Sequence, residues 1–583
     1  MPGETPLTLP GQGTFPEDIP RQIQCPQGFS VIYKGKTLLS RLDPAAQAER
    51  IVTALKPVNR TLYFCPSPLY GYGLEKLLDK LEQTSPHAAV LCVEADEQLL
   101  RLSQETIPPP LLDKPRLCLT GTRDPAGLCA LVRKTWGSRS FRRLEILRLS
   151  AGWRLDPELY DSLAAALDQD IALDWGNAMT LLKLGRLYIK NAIKNLNLIP
   201  RAPLLAGLSF YDDPILILGA GPSLDATLEG LSAHFGELLS VFPPRPFRIV
   251  TVDTALPCLR ARNVKPDLVV ALESQHWNLR DFIGSGDWEI PVLMDLSALP
   301  ATREILGGQT YLFYTPWADI RLFRRLEAAG LLPALFPPLG SVALSATAIA
   351  LSLGSGPVLT GGIDFSFTLD KYHARSTPGH QEKLRRQNRF RDILNTGAAF
   401  RPAVSGAAAK SGKAVRCDPA MKGYRDLFER EFAGEKRLRD IISDGLPLGP
   451  LPLDMTAACA LLETSAGPAP ARGGETGAAG KAPEYTPPDA GGLRAAALRD
   501  FACRERDSLI KLRKILTGEI PAVQEELDGL LDGADYLWAH FPDCAGTGGR
   551  RPPGTDISFL KRIRAELDLF TGLWEQLLAE PPP

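Results

Sequence analysis

Six short aliphatic runs follow one another through the middle of the chain: PILILG (214–219), FRIVTVD (247–253), LVVALES (268–274), PVLMDL (291–296), YLFYT (311–315) and PVLTGGIDF (357–365). Segments of helical pattern separate most of them. Strands that are apolar on both faces and alternate with helices predict a parallel sheet covered on both sides. In such a sheet a ligand sits beyond the carboxyl ends of the strands. The residues at those ends are Gly219 to Ser223, Asp253 and Thr254, Glu273 to Gln275, and Gly361 to Phe365. They are small, polar or acidic, and their convergence marks the place to look for a site.

A second α/β alternation precedes this region, with strands at 61–67 and 88–96 around a helix at 74–83. Gly71, Gly73 and Glu94 outline half of a dinucleotide-binding unit. Pro66 and Pro68 interrupt the turn and the third glycine is missing, so this part reads as a structural domain without a ligand of its own. Helical spacing over 157–200 predicts one or two connecting helices. The stretch 463–492 is Gly, Ala and Pro with almost no large apolar side chain, the composition of a flexible linker. Apolar residues three and four apart after it predict amphipathic helices. The resulting map is an irregular segment 1–30, an α/β domain 31–156, connecting helices 157–206, a central domain 207–455, a linker 456–492 and a helical domain 493–583.

Composition removes several classes of function. A net charge of −1 over 583 residues is not that of a polyanion binder, so no nucleic-acid partner is expected. The ten cysteines include no CxxC pair, which argues for buried thiols in a reducing compartment and against zinc. No stretch reaches the ~18 apolar residues of a membrane span. The first twenty residues lack the basic and apolar regions of a signal peptide, and a cytoplasmic location is the expectation.

The first central strand runs into Gly219-Ala220-Gly221-Pro222-Ser223-Leu224-Asp225. A dinucleotide fingerprint wants glycine where Leu224 stands. Pro222 suits a first helical turn, where its missing N–H is no loss. The amides of Gly221, Ser223 and Leu224 would then face a single phosphate, helped by the helix dipole. A tight strand–helix turn with no ligand is the alternative.

These blocks, together with TVDTALPCLRARNVKPDLVVALES, GSVALSATAIALSLG, LTGGIDFSF and KYHA, resemble the motility-associated-factor (Maf) glycosyltransferases in order and spacing. Those belong to a wider family (DUF115) that includes the archaeal 6-hydroxymethylpterin pyrophosphokinase. Two blocks are also similar to bacterial sialyltransferases that use CMP-sialic acid. The resemblance covers about residues 205–455. It implies a Rossmann-like, GT-A or sialyltransferase-like central sheet, flanked by the N-terminal α/β and C-terminal helical domains. It implies transfer of a nonulosonic acid from a CMP donor to Ser or Thr of flagellin, in motility. By that resemblance Gly219, Gly221, Pro222, Ser223, Leu224, Asp253, Thr254, Glu273, Ser341, Ser345, Gly362 and Asp364 would hold the nucleotide. Ser341 and Ser345 would address the base, with close helix packing as the other reading of those small residues. Tyr372 matches one of two tyrosines that hold the phosphate in the sialyltransferases, whereas Ser366 stands at the other. Related sequences usually carry Asp where Glu273 stands.

His373 is the candidate base for the acceptor hydroxyl, with His380 and Asp364 as alternatives, Asp364 reading better as a structural hydrogen-bond partner. Mg²⁺ is possible on Asp253 and Glu273, since it takes carboxylates with phosphate oxygens; no other cofactor is indicated. Residues 371–416 hold eleven Lys or Arg against two Asp or Glu. This is a solvated face or a device that steers an anionic sugar nucleotide. Two other functions stay open: a 6-hydroxymethyl-7,8-dihydropterin diphosphokinase using ATP and Mg²⁺, and a non-catalytic nucleotide-binding scaffold.

Overall fold

A computed structural model describes residues 19–137, 140–240, 245–464, 490–521, 523–545 and 551–579. They divide into two compact units, one within 1–183 and 539–551, the other within 184–538 and 552–583. The first holds a small antiparallel sheet (Arg21–Gln24, Phe29–Tyr33, Lys36–Thr37) and a parallel one. The parallel strands are β1 Thr61–Pro66, β2 Ala89–Val93, β3 Leu117–Thr120 and β4 Arg143–Ile146, in the order β3-β2-β1-β4. Every residue of β1 and β2 is buried, as expected of strands with helices on both faces. Glu94, beyond β2, is turned inward: Ser67 Oγ donates to it at 2.6 Å and the Tyr160 hydroxyl at 3.2 Å. Burial pushes its carboxyl up to about 7.

The connecting segment is a single long helix, α1, Pro157–Asn195. Its last turns belong to the second unit. There the Asn191 amide donates to the Ser274 and Ser297 carbonyls at 3.0 and 3.2 Å, and Asn195 to those of Leu296 and Ala298 at 2.9 Å each. Two buried amides thus fix the loops that leave two central strands.

The second unit is built on nine parallel strands: β5 Ile215–Leu218, β6 Arg248–Val252, β7 Leu268–Ala271, β8 Ile290–Asp295, β9 Gly307–Tyr314, β10 Ala334–Leu335, β11 Val358–Gly361, β12 Leu438–Ile441 and β13 Leu451–Leu453. Their order is β10-β9-β8-β7-β6-β5-β11-β12-β13. The fold is therefore α/β with a Rossmann-like parallel sheet. The chain moves outward from β5 to β10, then returns to pair β11 on the free side of β5. Between β5 and β11 the winding reverses, which opens a crevice at their carboxyl ends. Helices α2 (Leu224–Phe235) and α3 (Val342–Leu353) pack on the sheet, and helix α4 (Pro419–Phe432) sends Phe428 and Phe432 into the same core.

Residues 455–463 form a helix rather than the opening of a linker. The Asp454 carboxylate caps it by accepting from Ala457 N at 2.8 Å, and Ala458, Cys459 and Leu462 are buried. The remaining linker expectation, 465–489, lies outside the described residues. Helices α5 (Ala490–Thr517) and α6 (Ile557–Ala579) pair through Phe501 and Trp574, ring centroids 6.0 Å apart. Glu505 of α5 accepts a forked pair from Arg325 Nε and Nη2, 2.9 Å each. That pair joins these C-terminal helices to the sheet's own helix Arg321–Ala328.

Candidate functional site at the sheet's switch point

At the junction of β5 and β11 two glycine loops lie against each other. Gly219 N–H donates to Gly361 O at 2.9 Å and Gly221 N–H to Gly362 O at 2.8 Å. Ser223 gives Asp364 two bonds, from its amide at 2.7 Å and its hydroxyl at 2.5 Å, and Leu224 N–H turns back to Gly221 O at 3.0 Å. The amides of Gly221, Ser223 and Leu224, expected to cradle a phosphate, are thus all committed within the chain. A Cβ on Gly219 would sit 2.6 Å from Gly362 O, and one on Gly221 would sit 2.5 Å from Asp364 Oδ2. Gly362 also has φ +68°, a left-handed backbone that favours glycine. These glycines are required by the approach of two loops. Asp364, whose carboxyl burial pushes up, is the acceptor for the Ser223 amide that an external anion would otherwise meet. Buried and doubly bonded, it is a structural anchor and not an available base.

One strand over, Asp253 follows β6. Its Oδ1 accepts from the amide and hydroxyl of Thr254, at 2.7 and 3.2 Å, while its buried Oδ2 has no partner among the described residues. Burial, then the charges of Asp281 and Glu273, push its carboxyl up to about 7. Burial likewise raises Glu273, and Asp281 to about 6. Two tyrosines without any local motif join Glu273. Tyr188 of α1 is pushed up to about 12 by burial and then by Glu273, and Tyr424 of α4 is raised by the same two causes. Tyr424 also lies where a Cβ on Gly340 would point, Cε1 at 3.3 Å. On α3, among the described residues, Ser345 Oγ is buried without a partner and Ser341 makes no capping bond. Ser366 Oγ is likewise buried with no partner among the described residues. Buried polar atoms are nearly always paired, so such orphans are candidate ligand contacts. Among the described residues no three His, Cys, Asp or Glu are placed to hold a metal ion.

The segment after Phe367 returns over the β5 loop. Ala374 N–H donates to Ala220 O at 3.0 Å. Lys371 Nζ reaches Asp225 Oδ2 at 2.8 Å and Pro222 O at 3.2 Å, and Arg375 N–H reaches Asp225 at 3.2 Å. Tyr372 stacks on Phe367 with centroids 4.9 Å apart, and His373 meets Tyr372 at 5.2 Å. Among the described residues neither the Tyr372 hydroxyl nor the His373 ring has a hydrogen-bond partner. Burial raises the Tyr372 phenol; burial and then Lys383 lower His373, leaving its imidazole neutral at pH 7. His380 opens the helix Pro378–Arg386, its amide bonded to Thr377 Oγ1 at 3.3 Å. The fold therefore brings Tyr372 and His373 to the loop that holds Ala220, and places Asp253, Glu273, Ser341 and Ser345 on the elements beside it.

Residues 188–370, which span the switch point, match the family model "6-hydroxymethylpterin diphosphokinase MptE-like". The matched stretch contains the glycine loops, Asp253, Glu273 and Asp364, and it ends two residues before Tyr372. Around it, the whole chain is 28% identical over 589 residues to an uncharacterized protein of Treponema pallidum (strain Nichols), covering 97% of each. In three dimensions it is similar to a Maf glycosyltransferase from Magnetospirillum magneticum AMB-1, with TM-score 0.51 and 16% identity. That likeness covers 94% of this chain and 90% of the other, and shows a shared fold. No helix among the described residues is long and apolar enough to cross a membrane.

Proposed function

We propose that the protein is a glycosyltransferase that moves a nonulosonic acid from a CMP donor to Ser or Thr hydroxyls of flagellin. The observation that carries this reading is the pair Tyr372–His373. The chain folds them back over the β5 loop, and both have polar atoms free to act. In the transfer, the bond between the sugar's anomeric carbon and the phosphate oxygen breaks, and the electron pair leaves with CMP. The acceptor oxygen bonds to that carbon while His373, neutral at pH 7, takes its proton. Tyr372 donates a hydrogen bond to the departing phosphate, a kind of contact worth about 10²–10³ in rate. The unpartnered Asp253 Oδ2 and Ser345 Oγ suit hydroxyl and amine donors of ribose and cytosine.

The diphosphokinase reading draws on the name of the matching family model. Mg²⁺ would there rest on Asp253 and Glu273 with oxygens from ATP. Intact-mass measurement of flagellin from cells carrying and lacking the gene tests the transfer. A loss of mass in units of a nine-carbon acidic sugar supports it, and an unchanged mass refutes the acceptor.

A further inference from the structure

We propose that Asp225 is the positioning residue for Tyr372 and His373, clamping the chain on both sides of that pair against the start of α2. The inference rests on the glycosyltransferase reading and adds how the two groups are held at the β5 loop.

Asp225 stands in the first turn of α2 and is 5% exposed. Its carboxylate meets residues 371 and 375 together. Lys371 Nζ donates to Oδ2 at 2.8 Å, and the Arg375 amide lies 3.3 and 3.2 Å from the two oxygens. Arg262, just past the helix Leu256–Ala261, is a third partner, 2.9 Å from Oδ1. Burial pushes this carboxyl up, but Lys371, the Arg375 amide and Arg262 outweigh it and leave it below the ordinary aspartate value. Asp225 is therefore a carboxylate at neutral pH, and its bond to Lys371 is charge-assisted.

Other bonds complete the frame. Ala374 N–H reaches Ala220 O at 3.0 Å, the Arg375 carbonyl accepts from Cys258 Sγ at 2.8 Å, and Thr377 Oγ1 donates to Ala374 O at 2.9 Å. Tyr372 and His373 lie inside this frame. A single contact would leave the segment free to pivot, whereas one carboxylate gripping the residue before the pair and the second residue after it fixes its direction. Fixed direction matters because a misplacement of about 1 Å can cost about 10²-fold in rate. Asp225 takes no part in proton transfer and acts through the segment it holds.

Steady-state kinetics with CMP-N-acetylneuraminate and purified flagellin compare the full-length wild type with Asp225→Asn, Lys371→Met and the double variant. Amide hydrogen exchange over residues 371–377 is followed in the same four proteins. Each single change should lower kcat about 10- to 100-fold and move the donor KM by no more than about threefold. The double variant should lose no more than the worse single one, because both changes break the same ion pair. Exchange over 371–377 should quicken in all three variants. Unchanged kcat, a loss confined to donor KM, or losses that multiply in the double variant would overturn the positioning role, while wild-type transfer keeps the donor reading. Unchanged exchange would overturn the clamp whatever the activity. A wild type that transfers nothing overturns the donor reading and this inference with it.

Discussion

Asp364 and Ser223, 141 residues apart in sequence, share two hydrogen bonds, and through them the loop after β11 holds the start of α2. Asp364→Ala removes the acceptor of a buried amide and a buried hydroxyl. The expected cost is about 1–3 kcal/mol, the penalty for leaving buried donors without their acceptor. Asp364→Asn keeps one carbonyl oxygen for Ser223 and should lose less. Urea unfolding of the two variants checks the order.

Gly221→Ala places a methyl 2.5 Å from Asp364 Oδ2, so it should destabilise the fold by about 1–3 kcal/mol, as overpacking does. A phosphate cradle would predict the reverse pattern, with the fold intact and nucleotide affinity gone. Thermal unfolding and CMP titration of the same variant separate the two.

Asp253 contributes a pH dependence of a definite sign. Its folded carboxyl titrates at about 7, well above the ordinary aspartate range. Its contribution to stability is complete below the unfolded pKa, near 3.9, and is lost as pH rises toward about 7. Asp253→Asn removes that loss. Its melting temperature relative to wild type should therefore climb between pH 5 and about pH 8, and a difference that stays flat contradicts the assignment.

His373→Ala should lower the rate of transfer by about 10²-fold or more, with donor affinity changed much less, because the ring acts on the acceptor. Tyr372→Phe should cut kcat more than it weakens CMP binding. Steady-state kinetics with a CMP-sugar and purified flagellin measure both.

Much of this architecture is legible along the chain. The six aliphatic runs became β5 to β9 and β11, because strands buried on both faces must be apolar throughout. The strands β10, β12 and β13 were not, since two to four residues such as Leu438–Ile441 carry too little pattern. At the site, strand-end residues are readable by position. Their partners are not: which carboxylate meets Ser223 is settled by the pairing of β11 with β5, a long-range event. Tyr188 and Tyr424 arrive from helices far from any motif, and the buried pair Lys410–Asp440, 2.8 Å apart, has no local signature either.

The central claim is that the rim over β5 and β6 takes a cytidine nucleotide. Scanning calorimetry of the full chain against increasing CMP, and separately against ATP with Mg²⁺, tests it most directly. A bound ligand raises the unfolding temperature with the logarithm of its concentration over Kd. The account predicts such a rise with CMP and none with ATP and Mg²⁺; a rise with ATP and Mg²⁺ alone would contradict it.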